Sequence, residues 1–196
     1  MKRTLGILSA ALLGVTPIAT AQGGLGLKGG FSYGNVSNRG LLPGNLEERT
    51  GFAVGLAFGG GVGASSLLSL GVEGLYAQRG VISANDPDSR KLDYIDVPAY
   101  LQVAIPTPGI GPYVYAGPQA SFETRCRTNS GACPDTDRPM VSYAAVLGGG
   151  ARFGARGGLT IEGRYVYGLT DLKLSTVTSS DSYKTRSFLI LGGIAF

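Results

Sequence analysis

Six charged residues stand in stretches otherwise built of apolar and small side chains: Glu73, Arg79, Asp96, Arg152, Glu162 and Arg164. Carboxylates and guanidinium groups embedded in this way have two chemical uses. They neutralise one another as buried ion pairs, or they line a path for protons or ions. Glu162 and Arg164 share one face of any extended segment, because strand side chains alternate with period two. Arg152 and Glu162 flank a short connection and are expected to meet across it, while Glu73 and Asp96 are candidates to share Arg164. Pairing is the favoured use, since an isolated charge removed from water costs far more than a compensated one.

Other chemistry is thinly represented. The chain has no His, which removes the commonest general base, and no Gly-x-Ser-x-Gly turn stands in for it. No catalytic residue is assigned. Asn85 to Ser89 and Asp135 to Asp137 offer oxygens that Ca²⁺ could use, but neither follows the helix-loop-helix calcium pattern, and Asp, Pro and Ser are also what tight turns select. No metal or cofactor is expected. Cys126 and Cys133 are the only cysteines. With no His and two thiols, zinc is the weaker reading and a disulfide the stronger, provided the chain is exported.

Export is what the N-terminus predicts. Lys2 and Arg3 precede an apolar stretch from Leu5 to about Ile18 and then Ala19-Thr20-Ala21, the order of a leader removed by signal peptidase. Residues 1–21 are assigned to the leader and 22–196 to a single domain. Ser9, Gly14, Thr16 and Pro17 interrupt the stretch, which makes it short for a spanning helix. Of 17 basic residues two leave with the leader, so 15 face 13 acidic ones and the mature chain is about +2. Nucleic acid is excluded as a partner at that charge.

The elements that position the charges are strands. Beyond Gln22, period-two segments alternate with polar stretches, predicting strands at 25–35, 50–59, 67–79, 92–105, 112–124, 140–154, 158–170 and 185–196. Connections alternate between short, Gly- or Pro-rich turns (60–66, 106–111, 155–157) and longer polar loops (36–49, 80–91, 125–139, 171–184), as in outer-membrane barrels. The predicted fold is all-β: an eight-stranded antiparallel up-and-down transmembrane barrel.

The two faces of the strands fix what surrounds them. One face is bulky and apolar, as in Phe52, Val54, Leu56 and Phe58. The other is small, as in Gly55, Ala57, Ser69 and Gly71, with 33 Gly in the whole chain. Small residues suit the inside of a narrow barrel, so the bulky face is expected to meet lipid. Tyr33, Tyr76, Tyr94, Tyr113, Tyr165, Tyr167 and Phe196 are candidates for the interfacial girdles. Tyr113-Val114-Tyr115-Ala116 is bulky in both phases, and its outward set stays open. Phe188, Ile190, Ile194 and Phe196 form an alternating row in the last strand that reads as an assembly signal for the barrel-assembly machinery.

The segment Leu92-Asp93-Tyr94-Ile95-Asp96-Val97-Pro98-Ala99-Tyr100-Leu101, followed by Gly111-Pro112-Tyr113-Val114-Tyr115-Ala116-Gly117-Pro118, resembles PorT-like outer-membrane β-barrels. The stretch Leu159 to Tyr165 is similar to that family's seventh strand. The resemblance implies a small exported barrel of the OmpA or OmpX kind, with no shared enzymatic activity and no catalytic residues to carry over. Outer-membrane phospholipases, lipid A deacylases and omptin-type proteases rely on a His base that this chain lacks.

The expectation is a monomeric, non-enzymatic barrel in the outer membrane of a Gram-negative-type bacterium, its bore filled by the charged residues, serving envelope structure or surface recognition. Arg125, Arg127 and Arg138 flank the cysteine loop and are candidate contacts for lipopolysaccharide phosphates. Their alternative is a solvated loop pinned by the disulfide. A surface or envelope protein is the further partner class. Two other functions stay open: a narrow pore for small solutes or ions, and a soluble periplasmic barrel that binds a small ligand.

Overall fold

In the computed structural model, the described residues are 24–36, 46–62, 67–83, 90–105, 107–128, 131–132, 140–154, 158–170 and 185–196. The assigned leader, Cys133, Arg138 and both candidate calcium segments lie outside them. The strands are β1 (Gly24–Val36), β2 (Leu46–Gly61), β3 (Leu68–Ser83), β4 (Arg90–Ala104), β5 (Ile110–Thr128), β6 (Gly131–Ala132), β7 (Val141–Phe153), β8 (Leu159–Gly168) and β9 (Thr185–Ala195).

Every pairing is antiparallel. β1 to β5 pair in sequence order, β5 pairs β7, β7 pairs β8, and β9 closes the ring by pairing both β8 and β1. The two-residue β6 folds back on the end of β5 and stands outside the ring. The result is a closed barrel of eight strands, and among the described residues the ring has no edge strand. Phe196 N donates to Leu25 O at 2.8 Å and seals the seam.

Alternation decides which side chains enter the bore. Along β3 the residues Ser69, Gly71, Glu73, Leu75, Ala77 and Arg79 are buried, while Leu70 and Val72 between them are exposed. The outward set is mostly bulky and apolar, including Phe31, Phe52, Leu56, Leu101, Leu147 and Ile190, with a few small residues such as Gly74 and Ala116 between them. A surface of that kind is stable against hydrocarbon and not against water. Short connections join β2 to β3, β4 to β5 and β7 to β8 at the end where Gly24 and Phe196 lie. That end is therefore the periplasmic one. Positive φ at Gly109 (84°) and Gly154 (106°) lets two of these connections turn tightly.

The open phase of strand 5 is resolved. Tyr113 and Tyr115 point into the bore and Val114 outward. The expectation that Tyr113 belongs to an interfacial girdle is thereby corrected: its hydroxyl is used inside the barrel.

Candidate functional site

β3 and β8 stand opposite each other in the ring, and each brings buried charge to the middle of the bore. β3 supplies Glu73, and β8 supplies Glu162 and Arg164 two positions apart on its inward face. Arg164 Nη2 donates to Glu73 Oε2 at 2.6 Å and to Glu162 Oε1 at 2.8 Å, so one guanidinium ties opposite walls of the barrel. Lys28 from β1 does the same from a third direction, reaching Glu73 Oε1 at 2.6 Å and Glu162 Oε2 at 2.7 Å. Two carboxylates and two cations leave the cluster with no net charge.

Three tyrosines complete it. Tyr100 donates to Glu73 Oε1 at 2.6 Å, Tyr113 to Glu162 Oε2 at 3.0 Å and Tyr115 to Glu162 Oε1 at 3.0 Å. The Tyr115 hydroxyl also accepts from Arg164 Nε at 2.8 Å, and the guanidinium lies 5.3 Å from its ring centre. Every carboxylate oxygen therefore holds at least one strong donor. This is the condition under which buried charge is tolerated. Nη1 of Arg164 is the atom of this cluster that finds no hydrogen-bond partner in the structure.

The tyrosines fit because of what stands beside them. Tyr100 is directly opposite Gly71, Tyr115 opposite Gly148 and Tyr113 opposite Gly150. A Cβ at Gly71 or Gly148 would run into the facing ring, and one at Gly150 would come within 2.8 Å of both the Tyr113 hydroxyl and Glu162 Cβ. Each glycine thus leaves the volume that a phenol fills. The rings pack against one another along one wall of the bore, Tyr100 tilted against Tyr115 at 4.7 Å and Tyr113 stacked on Tyr115 at 6.2 Å between centres. Gly148→Leu is accordingly expected to destabilise the refolded barrel by about 1–3 kcal/mol through overpacking. The check is a lowered urea midpoint in detergent, read by the shift between compact and unfolded bands on unheated gels.

Beyond the cluster, toward the loops, apolar side chains fill the bore: Leu75, Ala77, Val146, Val166, Leu189 and Leu191. A second ion pair, Arg79 with Asp96, follows farther along β3 and β4. Polar residues that bond locally accompany it, such as Ser32 to Gln78 O and Gln119 to Ser121.

Of the residues singled out from sequence, Glu73, Glu162 and Arg164 come together. Two expected contacts do not form. Asp96 pairs Arg79 and not Arg164, because Leu75 stands in register with Asp96 and carries it past the central level. Arg152 is beside Thr160, whereas Glu162 is beside Gly150, so the hairpin register holds the two apart along the strands. Nε of Arg152 has no partner in the structure. Lys28 was missed, although it shares the inward parity of Gly26, Gly30 and Ser32. Tyr100 was missed too, and its parity with Asp96 and Pro98 carried that signal.

The remaining candidates lie outside the bore. Cys126 is disulfide-bonded. Arg125 and Arg127 are exposed near the loop end of β5. Phe188, Ile190, Ile194 and Phe196 point outward from the last strand.

Residues 20–174 match the family model described as the outer membrane protein beta-barrel domain. No functionally curated protein matches the chain in sequence. Among solved structures, the outer membrane enzyme PagL aligns with a TM-score of 0.57 at 10% identity, over 87% of this chain and 99% of its own. Neisserial surface protein A aligns at 0.53 and 16% identity, over 88% of this chain and 97% of its own. Ail, the attachment invasion locus protein of Yersinia pestis, solved with the heparin analogue sucrose octasulfate, aligns at 0.50 and 16% identity, over 89% and 99%. At these identities the likeness is one of fold.

Proposed function

Since the chain belongs to the outer membrane protein β-barrel family and resides in the outer membrane of a Gram-negative-type bacterium, we propose that it is a non-enzymatic barrel with a closed bore, acting in envelope structure or surface recognition through its extracellular face. The observation that carries this reading is the saturated cluster of Lys28, Glu73, Glu162 and Arg164 under its three tyrosines. Its ion pairs run from wall to wall where a conducting path would pass. The same saturation argues against catalysis, since neither carboxylate offers an oxygen free of a strong donor and the chain has no His to take a proton instead. PagL shows that this fold can carry an enzyme, so the proposal rests on the cluster and not on the fold.

The narrower likeness to PorT-like barrels is part of this proposal. The two segments that carry it lie on β4 and β5 and deliver Tyr100, Tyr113 and Tyr115 to the cluster. We further propose a monomer whose outward row of Phe188, Ile190, Ile194 and Phe196 is read by the barrel-assembly machinery. A surface or envelope protein would then be the partner at the loop end. A soluble ligand-binding barrel is incompatible with the outer-membrane location and with the outward apolar face.

Planar-bilayer recording tests the closed bore. Neither the wild-type barrel nor Arg164→Ala should give stable single-channel openings, since in the variant the tyrosine stack and the apolar layer above it remain. Reproducible unitary conductance from the wild type would replace this reading with that of a narrow pore.

A further inference from the structure

Depth in the membrane can be read from the outward aromatic residues. Near the loop end Phe31 faces Phe52, the Phe52 and Tyr76 rings lie 5.7 Å apart, and Phe188 is flanked in register by Tyr33 and Tyr165. Such a belt marks the boundary between acyl chains and headgroups. One outward step beyond it toward the loops stands Arg186, exposed, opposite Tyr167 and 5.6 Å from that ring's centre. On the other side of the barrel, Phe122 is the last exposed apolar residue of β5. Past it come Arg125 and Arg127, both exposed.

These cations sit where headgroup phosphates would be. Asp93 stands opposite Arg125 but is buried. Among the described residues, neither Arg125 nor Arg127 forms an ion pair. The periplasmic rim differs in kind: its outward residues include Leu25, Phe58, Val103, Ile110, Phe153 and Leu159, and no charge appears among the described ones. A basic rim only on the side facing the outer leaflet matches a leaflet whose lipid is itself phosphorylated.

We propose that Arg125, Arg127 and Arg186 form a collar that binds the phosphates of outer-leaflet glycolipid. The guanidinium fork suits bidentate contact with phosphate, and Tyr167 holds Arg186 at the depth where such contact is made. The collar depends on the outer-membrane location and is independent of whether the bore conducts.

The test uses the full barrel refolded in nanodiscs that contain phosphorylated lipid A, with retained lipid counted by native mass spectrometry after mild detergent exchange. R125Q/R127Q/R186Q should retain lipid A about tenfold less well than wild type, the size expected when three exposed charge contacts are lost. Wild type offered dephosphorylated lipid A should show a similar loss, and millimolar inorganic phosphate should not displace the lipid. Unheated-gel migration confirms that the triple variant is folded. Should the folded variant keep as much lipid A as wild type, or should wild type hold the dephosphorylated form equally well, the collar is refuted. Complete displacement by free phosphate also refutes it, by assigning the site to a soluble anion.

Discussion

Arg164→Met is expected to cost the barrel about 3–5 kcal/mol, the largest loss from any single substitution considered, because it leaves two buried carboxylates facing one cation. Arg164 is 1% exposed and bonds Glu73, Glu162 and the Tyr115 hydroxyl, so its removal strips donors from both sides of the bore together. Lys28 is then the one cation left to the cluster, beside the three phenol donors. The measurement is equilibrium urea unfolding in lipid vesicles, followed by the gel shift. A second variant tells charge balance from simple packing. Adding Glu162→Gln to Arg164→Met restores neutrality and should recover a substantial part of the loss, a coupling that a double-mutant cycle would expose. If the double variant is as unstable as the sum of the two single ones, the cluster is not an electrostatic unit.

Val72→Arg is expected to be next in size, at about 2–4 kcal/mol. Val72 is 47% exposed and lies midway between Leu68, where β3 begins, and Tyr76 in the aromatic belt. It therefore meets hydrocarbon near the middle of the bilayer. The same substitution at Thr50, exposed on β2 beyond the belt residue Phe52, should cost much less, because a side chain there reaches headgroups and water. Unfolding of both variants in vesicles gives the comparison. Equal costs at the two depths would mean that the bulky face is not solvated by acyl chains.

The architecture was legible in the chain because a barrel in lipid writes the same rule into every strand: bulky residues at one parity, small or charged ones at the other. That rule placed Glu73, Glu162 and Arg164 in the bore. It could not say which charges meet, because contact across a barrel depends on register and stagger. Arg152 and Glu162 are near in sequence yet misaligned, whereas Glu73 and Arg164 are far apart in sequence and bonded. Parity also fails where both phases are bulky. Tyr113, Val114 and Tyr115 became assignable only once β7 was seen to place Gly148 and Gly150 opposite the two phenols. Lys28 was concealed by its setting, a lone cation in a run of glycine and leucine.

Two of the phenol–glycine couples also constrain descent. A lineage that exchanges Tyr115 for a small residue gains room for a side chain at 148, and one that keeps the ring does not. The same bargain links 100 with 71, whereas a side chain at 150 would still meet the Ile161 carbonyl oxygen whatever stands at 113. Divergence at 71, 100, 115 and 148 would therefore proceed by linked replacements, so covariation among distant orthologues would record which ones kept a ring inside the barrel.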